Sequence, residues 1–450
     1  MTRKRFEPAL ALCAAALSLY AAGASAAQWG EYELTGFVLD EFSRCDNCAP
    51  HQINPQGYDP RGVLPVVAPA VPVNLPGPTK RDENNILLWM LTGAVNHEFD
   101  NAVSVEARLT TRQRNYHADI FGQQLDEAYA GLAYPRAGSL NYGTHFTRSW
   151  SRADGFSYPL GLSNPWSEGG AGYGVIRHSL RYATPEFEGS WGKVRFEGTY
   201  ASPKKEYPLN NVSTVYAAPP SPKLVEGFIQ YSNERNLIEF IIQQSSGGRQ
   251  SSFAEGAFVG AAGNTDSAAA AAGYQAPSER LWILQGNFWK DEHWKFTYGL
   301  KRSWWSGQQQ QCDYSAAISN CFFDQGGFNY ASDGALHSAY EYDALLGVSY
   351  TRELWTYTVG GVRMNKAYTK TPTEWGQSNT ATFGNIGVYR KIPSLIGRAD
   401  TSIYAGLARN QFGRQGPGPL SMPNNTAFGG VDPRVSKSGN TVTIGTKILF

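Results

Sequence analysis

Methionine and charge are scarce in this chain. Its 450 residues include four Met, and only 17 % are Asp, Glu, Lys or Arg. No sign of charge dominates: 39 basic and 38 acidic residues leave a net charge of +1, which excludes the basic footprint of a nucleic-acid binder. Apolar runs of about 20 residues, the length a membrane-crossing helix needs, do not occur past the amino terminus. The mean hydropathy of −0.38 agrees, and a bundle of membrane helices is excluded. With 42 % apolar residues the chain is not a disordered one either. What is abundant is Gly (48), Tyr (25) and Trp (12), a composition that favours β structure.

The amino terminus reads as a targeting segment. Arg3, Lys4 and Arg5 precede an apolar stretch from about residue 9 to 22, and Ala24-Ser25-Ala26 forms a small-x-small cleavage site. A secretory signal peptide is therefore predicted over 1–26 and a single domain over 27–450. Its removal takes three of the 39 bases and one of the 38 acids, leaving 36 against 37. Export leads to an oxidising compartment, so Cys45, Cys48, Cys312 and Cys321 are disulfide candidates. Their spacing suggests two local bridges, although four cysteines allow three connectivities. A metal site on Cys45, Cys48 and His51 would lack a second ligand pair nearby. Haem attachment needs His directly after the second Cys, where Ala49 stands. No metal and no cofactor is expected.

Past residue 26 the dominant pattern is alternation with a period of two, the mark of strands with one apolar face. In 102–112, Val103, Val105, Ala107 and Leu109 oppose Ser104, Glu106, Arg108, Thr110 and Arg112. In 294–301, Trp294, Phe296, Tyr298 and Leu300 oppose Lys295, Thr297 and Lys301. The same reading marks sixteen strands, near 31–43, 84–99, 102–114, 123–134, 138–146, 174–184, 190–202, 223–232, 235–246, 279–290, 293–303, 338–350, 353–366, 381–391, 399–410 and 439–450.

The connections alternate as well. Odd-numbered links are longer (44–83, 147–173, 247–278, 304–337), and even-numbered ones are tight, as at Asp100-Asn101, Asn233-Glu234 and Asp291-Glu292. A soluble sandwich with Greek-key links has no reason to keep that parity. A membrane barrel does, with short turns on one side and long loops on the other. Strands of about ten residues cross a bilayer when tilted. Closure satisfies every backbone donor and acceptor, while only one side chain in two meets hydrocarbon. The fold class expected is an all-β transmembrane antiparallel barrel, of sixteen strands, with eighteen as the alternative count.

Several segments carry a resemblance. Glu33-Leu34-Thr35-Gly36-Phe37-Val38-Leu39-Asp40, Ala128-Tyr129-Ala130-Gly131-Leu132, Ser139-Leu140-Asn141-Tyr142-Gly143, Leu180-Arg181-Tyr182-Ala183-Thr184-Pro185-Glu186-Phe187 and Asn440-Thr441-Val442-Thr443-Ile444-Gly445 follow one another as in the general trimeric porins of Gram-negative bacteria, which this chain resembles. The final strand, ending in Phe450, resembles the carboxyl-terminal assembly signal of bacterial outer-membrane barrels. The chain departs from the family in two ways. The acidic Pro-Glu-Phe-type segment of the third loop is missing, and the first loop is long, Pro-rich and carries a Cys pair.

The resemblance implies a homotrimer in the outer membrane, in contact with lipid and lipopolysaccharide, that passes small hydrophilic solutes and binds no nucleic acid. It also implies that the loop at 147–173 folds inward as a constriction. That loop carries Arg148, Arg152, Asp154 and Glu168. Opposite charges across a narrow, low-dielectric passage would set up a transverse field. By strand parity Arg108, Arg112, Arg177, Arg181, Lys193 and Arg195 form a basic pore wall, which predicts a mild preference for anions. Trp304-Trp305 reads as an interfacial girdle element or a docking surface.

Enzymatic motifs are sparse: there is no G-x-S-x-G elbow and no H-E-x-x-H. His145 with Ser149 and Asp154 is the best nucleophilic grouping. Three functions stay open on the sequence: a passive diffusion pore, a substrate-selective channel of the same fold, and a rim enzyme or adhesin anchored by the barrel. The first is the expectation, and no enzymatic activity is expected.

Overall fold

The computed structural model describes residues 27–29, 31–45, 82–114, 125–152, 175–201, 223–246, 278–307, 337–365, 368–369, 381–393, 400–412 and 438–450. They form one closed antiparallel ring. Its first quarter is β1 (Tyr32–Cys45), β2 (Asp82–Glu98), β3 (Ser104–Arg114) and β4 (Leu125–Tyr134). Then come β5 (Gly138–Phe146), β6 (Val175–Ala183), β7 (Gly192–Ala201), β8 (Lys223–Ser232) and β9 (Asn236–Ser246). The remainder is β10 (Ser278–Trp289), β11 (Trp294–Gly307), β12 (His337–Arg352), β13 (Trp355–Met364), β14 (Ala381–Ile392), β15 (Asp400–Phe412) and β16 (Ser438–Leu449). Each strand pairs with its sequence neighbour, and β16 closes on β1, with Ile444 opposite Phe42 and Leu449 opposite Phe37. Phe450 finishes the seam. Its N–H donates to Gly36 O at 3.0 Å, and its carbonyl accepts from Gly36 N at 2.8 Å.

The sixteen-strand count is that expected from parity, and the eighteen-strand alternative falls. Three details differ from the sequence reading. A short edge strand, Ala27–Trp29, adds onto β1. The sequence puts the link after β6 at 185–189, but Phe187–Gly189 continues along β7, and the tight turn is at Ser190-Trp191. A four-residue helix, α1 (Arg148–Ser151), follows β5. One turn of helix is too short to leave a period in sequence.

Side-chain burial is inverted relative to a soluble protein. Leu346 is 70 % exposed, Leu300 60 % and Ile444 59 %, while Gln285, Ser303 and Glu239 are fully buried on the opposite face. Alternation along each strand produces this: Lys301 and Ser303 point to the concave side, Leu300 to the convex one. The ring thus turns apolar groups outward and polar groups inward, as a barrel in lipid requires. No helix among the described residues is long and apolar enough to cross a membrane.

The tight turns are built by side chains that accept from the backbone two and three residues on. Asn233 Oδ1 accepts from Arg235 N (2.9 Å) and Asn236 N (2.8 Å), and Asp291 Oδ1 from His293 N (2.9 Å) and Trp294 N (2.8 Å). Asn101 Oδ1 accepts from Val103 N at 3.1 Å, beside Ala102 at φ 62°. Asn and Asp supply such bonds where a strand must reverse at once. Aromatic side chains gather near these turns. Trp294 packs on Tyr350 with centroids 4.7 Å apart, and Trp191 stacks on Tyr231. Amphipathic rings suit this level, where hydrocarbon gives way to water.

Candidate functional site

The candidate site is the inner wall from β3 to β10, where charged side chains concentrate. It is organised by the segment that leaves β5. Thr147 is fully buried, and α1 with the residue after it then places Arg148 and Arg152 against three successive strands. Arg148 Nε donates to Glu197 Oε2 on β7 at 2.5 Å, while Arg148 N donates to Glu226 Oε1 on β8 at 2.8 Å. Ser149 N reaches Glu226 Oε2 at 3.3 Å, and Gln243 of β9 donates to Ser149 Oγ at 3.0 Å. Arg152 Nε donates to Glu239 Oε1 on β9 at 2.7 Å. The carboxylates of three neighbouring strands therefore converge on one turn of chain and hold it inside the ring.

Charge-assisted bonds of this kind are about twice as strong as neutral ones. The pairs are also costly to break: removing one partner of a buried pair costs about 3–5 kcal/mol, because the other charge is left without compensation. Glu239 is braced further by Gln230 Nε2 at 2.7 Å and by Gln285 Nε2, from β10, at 3.0 Å.

The expected basic wall divides. Arg181 is buried, donates from Nε to Thr199 Oγ1 at 2.9 Å and from Nη2 to Phe146 O at 2.5 Å, and lies 3.8 Å from Glu226. Arg195 Nη2 is 2.7 Å from Glu197 Oε1. Arg108 Nε is 3.9 Å from Glu127, whose Oε2 accepts from Thr110 at 3.3 Å. Lys193 sits two residues past the tight turn. It pairs with Glu186 (2.7 Å) and Glu188 (3.7 Å), away from α1. The alternation that groups Arg177 with Arg181 is interrupted, because Ile176 and Ser179 are both buried and His178 between them takes φ 49°. The side chains of Arg112 and Arg177 lie outside the described residues. So do residues 1–26, Asp154, Glu168, Cys48, Cys312, Cys321 and the side chain of Cys45.

Sequence reasoning offered Glu106 and Glu197 as partners of these bases and missed three further carboxylates. Glu127, Glu226 and Glu239 belong to the wall as fully as the arginines do. The signal was weak on β8 and β9, where both faces are apolar: Leu224 and Phe228 point inward, Val225 and Ile229 outward. One Glu per such strand does not reveal its facing.

His145 and Ser149, grouped in sequence as a nucleophilic pair, are separated. His145 Nδ1 bonds Ser179 Oγ at 2.7 Å and its ring stacks on Tyr129, whereas Ser149 bonds Thr147 and Gln243. Among the described residues no group of three or more His, Cys, Asp or Glu is arranged to hold a metal.

The opposite arc, β10 to β14, differs in chemistry. Its described inward groups include amides and hydroxyls (Gln285, Asn287, Thr297, Asn385), apolar side chains (Ile283, Leu345, Phe383) and the Lys301–Asp343 ion pair at 3.8 Å. At the turn-side rim, two backbone hydrogen bonds hold the exposed Asp291 carboxyl below its ordinary value, first from Trp294 and then from His293.

A closed sixteen-stranded ring with this inside-out burial is an outer-membrane-type β-barrel. No protein-family model and no curated protein sequence matches the chain. Solved structures do. An anion-selective porin from Comamonas acidovorans superposes with TM-score 0.55 at 11 % identity, covering 93 % of this chain and 99 % of that one. The trimer form of OmpT, an outer membrane protein of Vibrio cholerae, gives 0.54 at 9 %, over 93 % and 99 %. The outer membrane channel DcaP of Acinetobacter baumannii gives 0.52 at 11 %, over 94 % and 99 %. The fold is that of the sixteen-stranded porins, as the sequence resemblance implied.

Proposed function

We propose that this protein is an outer-membrane porin, a water-filled channel through which small hydrophilic solutes and ions diffuse passively. One observation carries the reading. Around a ring wide enough to leave a lumen, polar and charged side chains face inward and large apolar ones face outward. The segment 1–26 would export the chain and be removed. The protein would work as a homotrimer within lipid and lipopolysaccharide. The Vibrio cholerae outer membrane protein, solved in a trimer form, supports that assembly by analogy of fold. No catalytic step is assigned.

The loop at 147–173, with Asp154 and Glu168, would narrow the lumen, and α1 is where it starts inward. Arg108, Arg181 and Arg195 would line the passage beside Glu127 and Glu197, with Arg112 and Arg177 further candidates. The anion preference read from the bases alone weakens once their carboxylate partners are included. The preference proposed is therefore slight. Phe450, bonded to Gly36 in the seam, would serve as the terminal assembly signal.

A second reading, a solute-selective channel, is favoured by the asymmetry of the lumen. Among the described residues one arc carries most of the charge, while the other offers amides, hydroxyls and apolar groups beside the Lys301–Asp343 pair. A polar solute with an apolar edge would find a complementary surface on each side.

Reconstitution into a planar bilayer tests both. Large, weakly selective conductance steps support the diffusion pore. Small steps blocked by one solute support the selective channel, and the absence of conductance refutes both.

A further inference from the structure

The outward face of β10–β13 carries a feature that a lipid-facing surface does not need. Arg302 of β11 lies on the convex side, since its neighbours Lys301 and Ser303 are both buried on the concave one. Its guanidinium carbon is 4.0 Å from the centroid of Trp304, 4.8 Å from Tyr342 and 5.6 Å from Tyr340. Trp282 closes the group by meeting Trp304 edge-on at 4.9 Å. Arg302 Nε is buried among these rings and has no hydrogen-bond partner. Arg280, exposed on β10, stands opposite Trp304 in the strand pairing. Among the described outward side chains of these four strands, none near this group is acidic.

Depth matters here. Arg302 is eight residues along β11 from Trp294 at the turn-side rim. At about 3.4 Å per residue and a tilt near 45°, that is roughly 20 Å of height. In an apolar band of about 25 Å measured from that rim, Arg302 lies roughly 5 Å short of the far edge, within the reach of its own side chain, on the side of the long connections, which in such barrels face outward. A charge there is cheap only if its head meets the headgroup layer. The aromatic cage fixes the guanidinium in place by cation–π contact, and charge-assisted bonds from the terminal N–H groups of an arginine suit a tetrahedral anion.

We propose that Arg302, held by Trp304, Tyr340 and Tyr342 and helped by Arg280, binds the phosphate of an anionic lipid of the outer leaflet. The site rests on the reading of the barrel as an outer-membrane protein, but not on its conducting solutes.

The test uses the full-length protein in an uncharged detergent, with lipid binding followed by native mass spectrometry. Wild type is expected to retain diphosphoryl lipid A at least ten-fold more tightly than the dephosphorylated form, a comparison that needs no variant. Arg302→Gln is expected to abolish that difference, while Arg409→Gln, at an exposed position on β15, leaves it intact. Equal retention of the two lipids by wild type overturns the proposal. So does an unchanged preference in a folded Arg302→Gln protein. Displacement of the lipid by millimolar inorganic phosphate would also overturn it, because the site would then serve a free anion. Planar-bilayer conductance, measured separately, distinguishes failure of this site from failure of the channel reading.

Discussion

Arg152 and Glu239 are 87 positions apart and are joined by a 2.7 Å bond from Nε to Oε1 inside the ring. With the bonds of Arg148 and Ser149 to Glu197 and Glu226, this contact anchors the inward segment at both ends of a single helical turn. Glu239→Gln removes the charge but keeps the size. It leaves Arg152 without compensation, and truncating one partner of such a pair costs about 3–5 kcal/mol. The segment should then sample positions away from the wall. Single-channel recording should show a broader conductance distribution and more open-channel noise, with the barrel still folded by its heat-dependent gel migration. A quiet channel of wild-type conductance would show that this bond does not restrain the constriction.

Charge balance gives a second test. Glu226 meets Arg181 at 3.8 Å and Glu197 meets Arg195 at 2.7 Å, so the bases of this arc are largely neutralised where they stand. Glu226→Gln combined with Glu197→Gln unmasks them. The zero-current potential in a salt gradient should move toward anion selectivity. The shift should be clear near 0.1 M salt and small near 1 M, where the Debye length falls from about 10 Å to about 3 Å. A shift toward cations, or one independent of salt, would count against these groups facing the permeation path.

The strand count, the alternation of long and short links and the Asx-type turns were all legible in sequence. They rest on local rules: period-two alternation, and Asn or Asp where a chain must reverse. The site was legible only in part, for a physical reason. Arg148 shows its charge in sequence, but its partners Glu197 and Glu226 lie 49 and 78 residues away and are brought to it by ring closure. The facing of Glu226 and Glu239 was hidden because their strands are apolar on both sides. Parity also fails at a bulge, as it does for Arg177 beside His178.

The lipid-facing surface predicts a dependence on depth. Leu346, 70 % exposed in the middle of β12, should meet the hydrocarbon core, whereas Leu354 sits in the tight turn between β12 and β13. Leu346→Arg is expected to destabilise the barrel by about 2–4 kcal/mol and Leu354→Arg by about 0–1 kcal/mol. Urea unfolding from lipid vesicles, followed by tryptophan emission, measures both. Equal costs would mean that the convex face is not ordered by a bilayer.

Asp291 offers a test by pH. Its carboxylate accepts from Trp294 N at 2.8 Å and His293 N at 2.9 Å and closes the turn between β10 and β11. These bonds favour the ionised form, so the folded-state pKa lies below the ordinary value of 3.8. A carboxyl depressed by folding contributes stability that is fully present above its unfolded value and is lost as pH falls through the folded one. Asp291→Ala should therefore lower the urea midpoint relative to wild type at pH 6. The difference should shrink once the pH is well below 3.8, as protonated Asp291 becomes the poorer acceptor. Asp291→Asn keeps an acceptor oxygen without the charge, so it should fall between the two at pH 6 and show no such narrowing against Asp291→Ala. A wild-type advantage that stays constant from pH 6 to pH 2.5 would mean that the turn is held by shape alone, without the charge on Asp291.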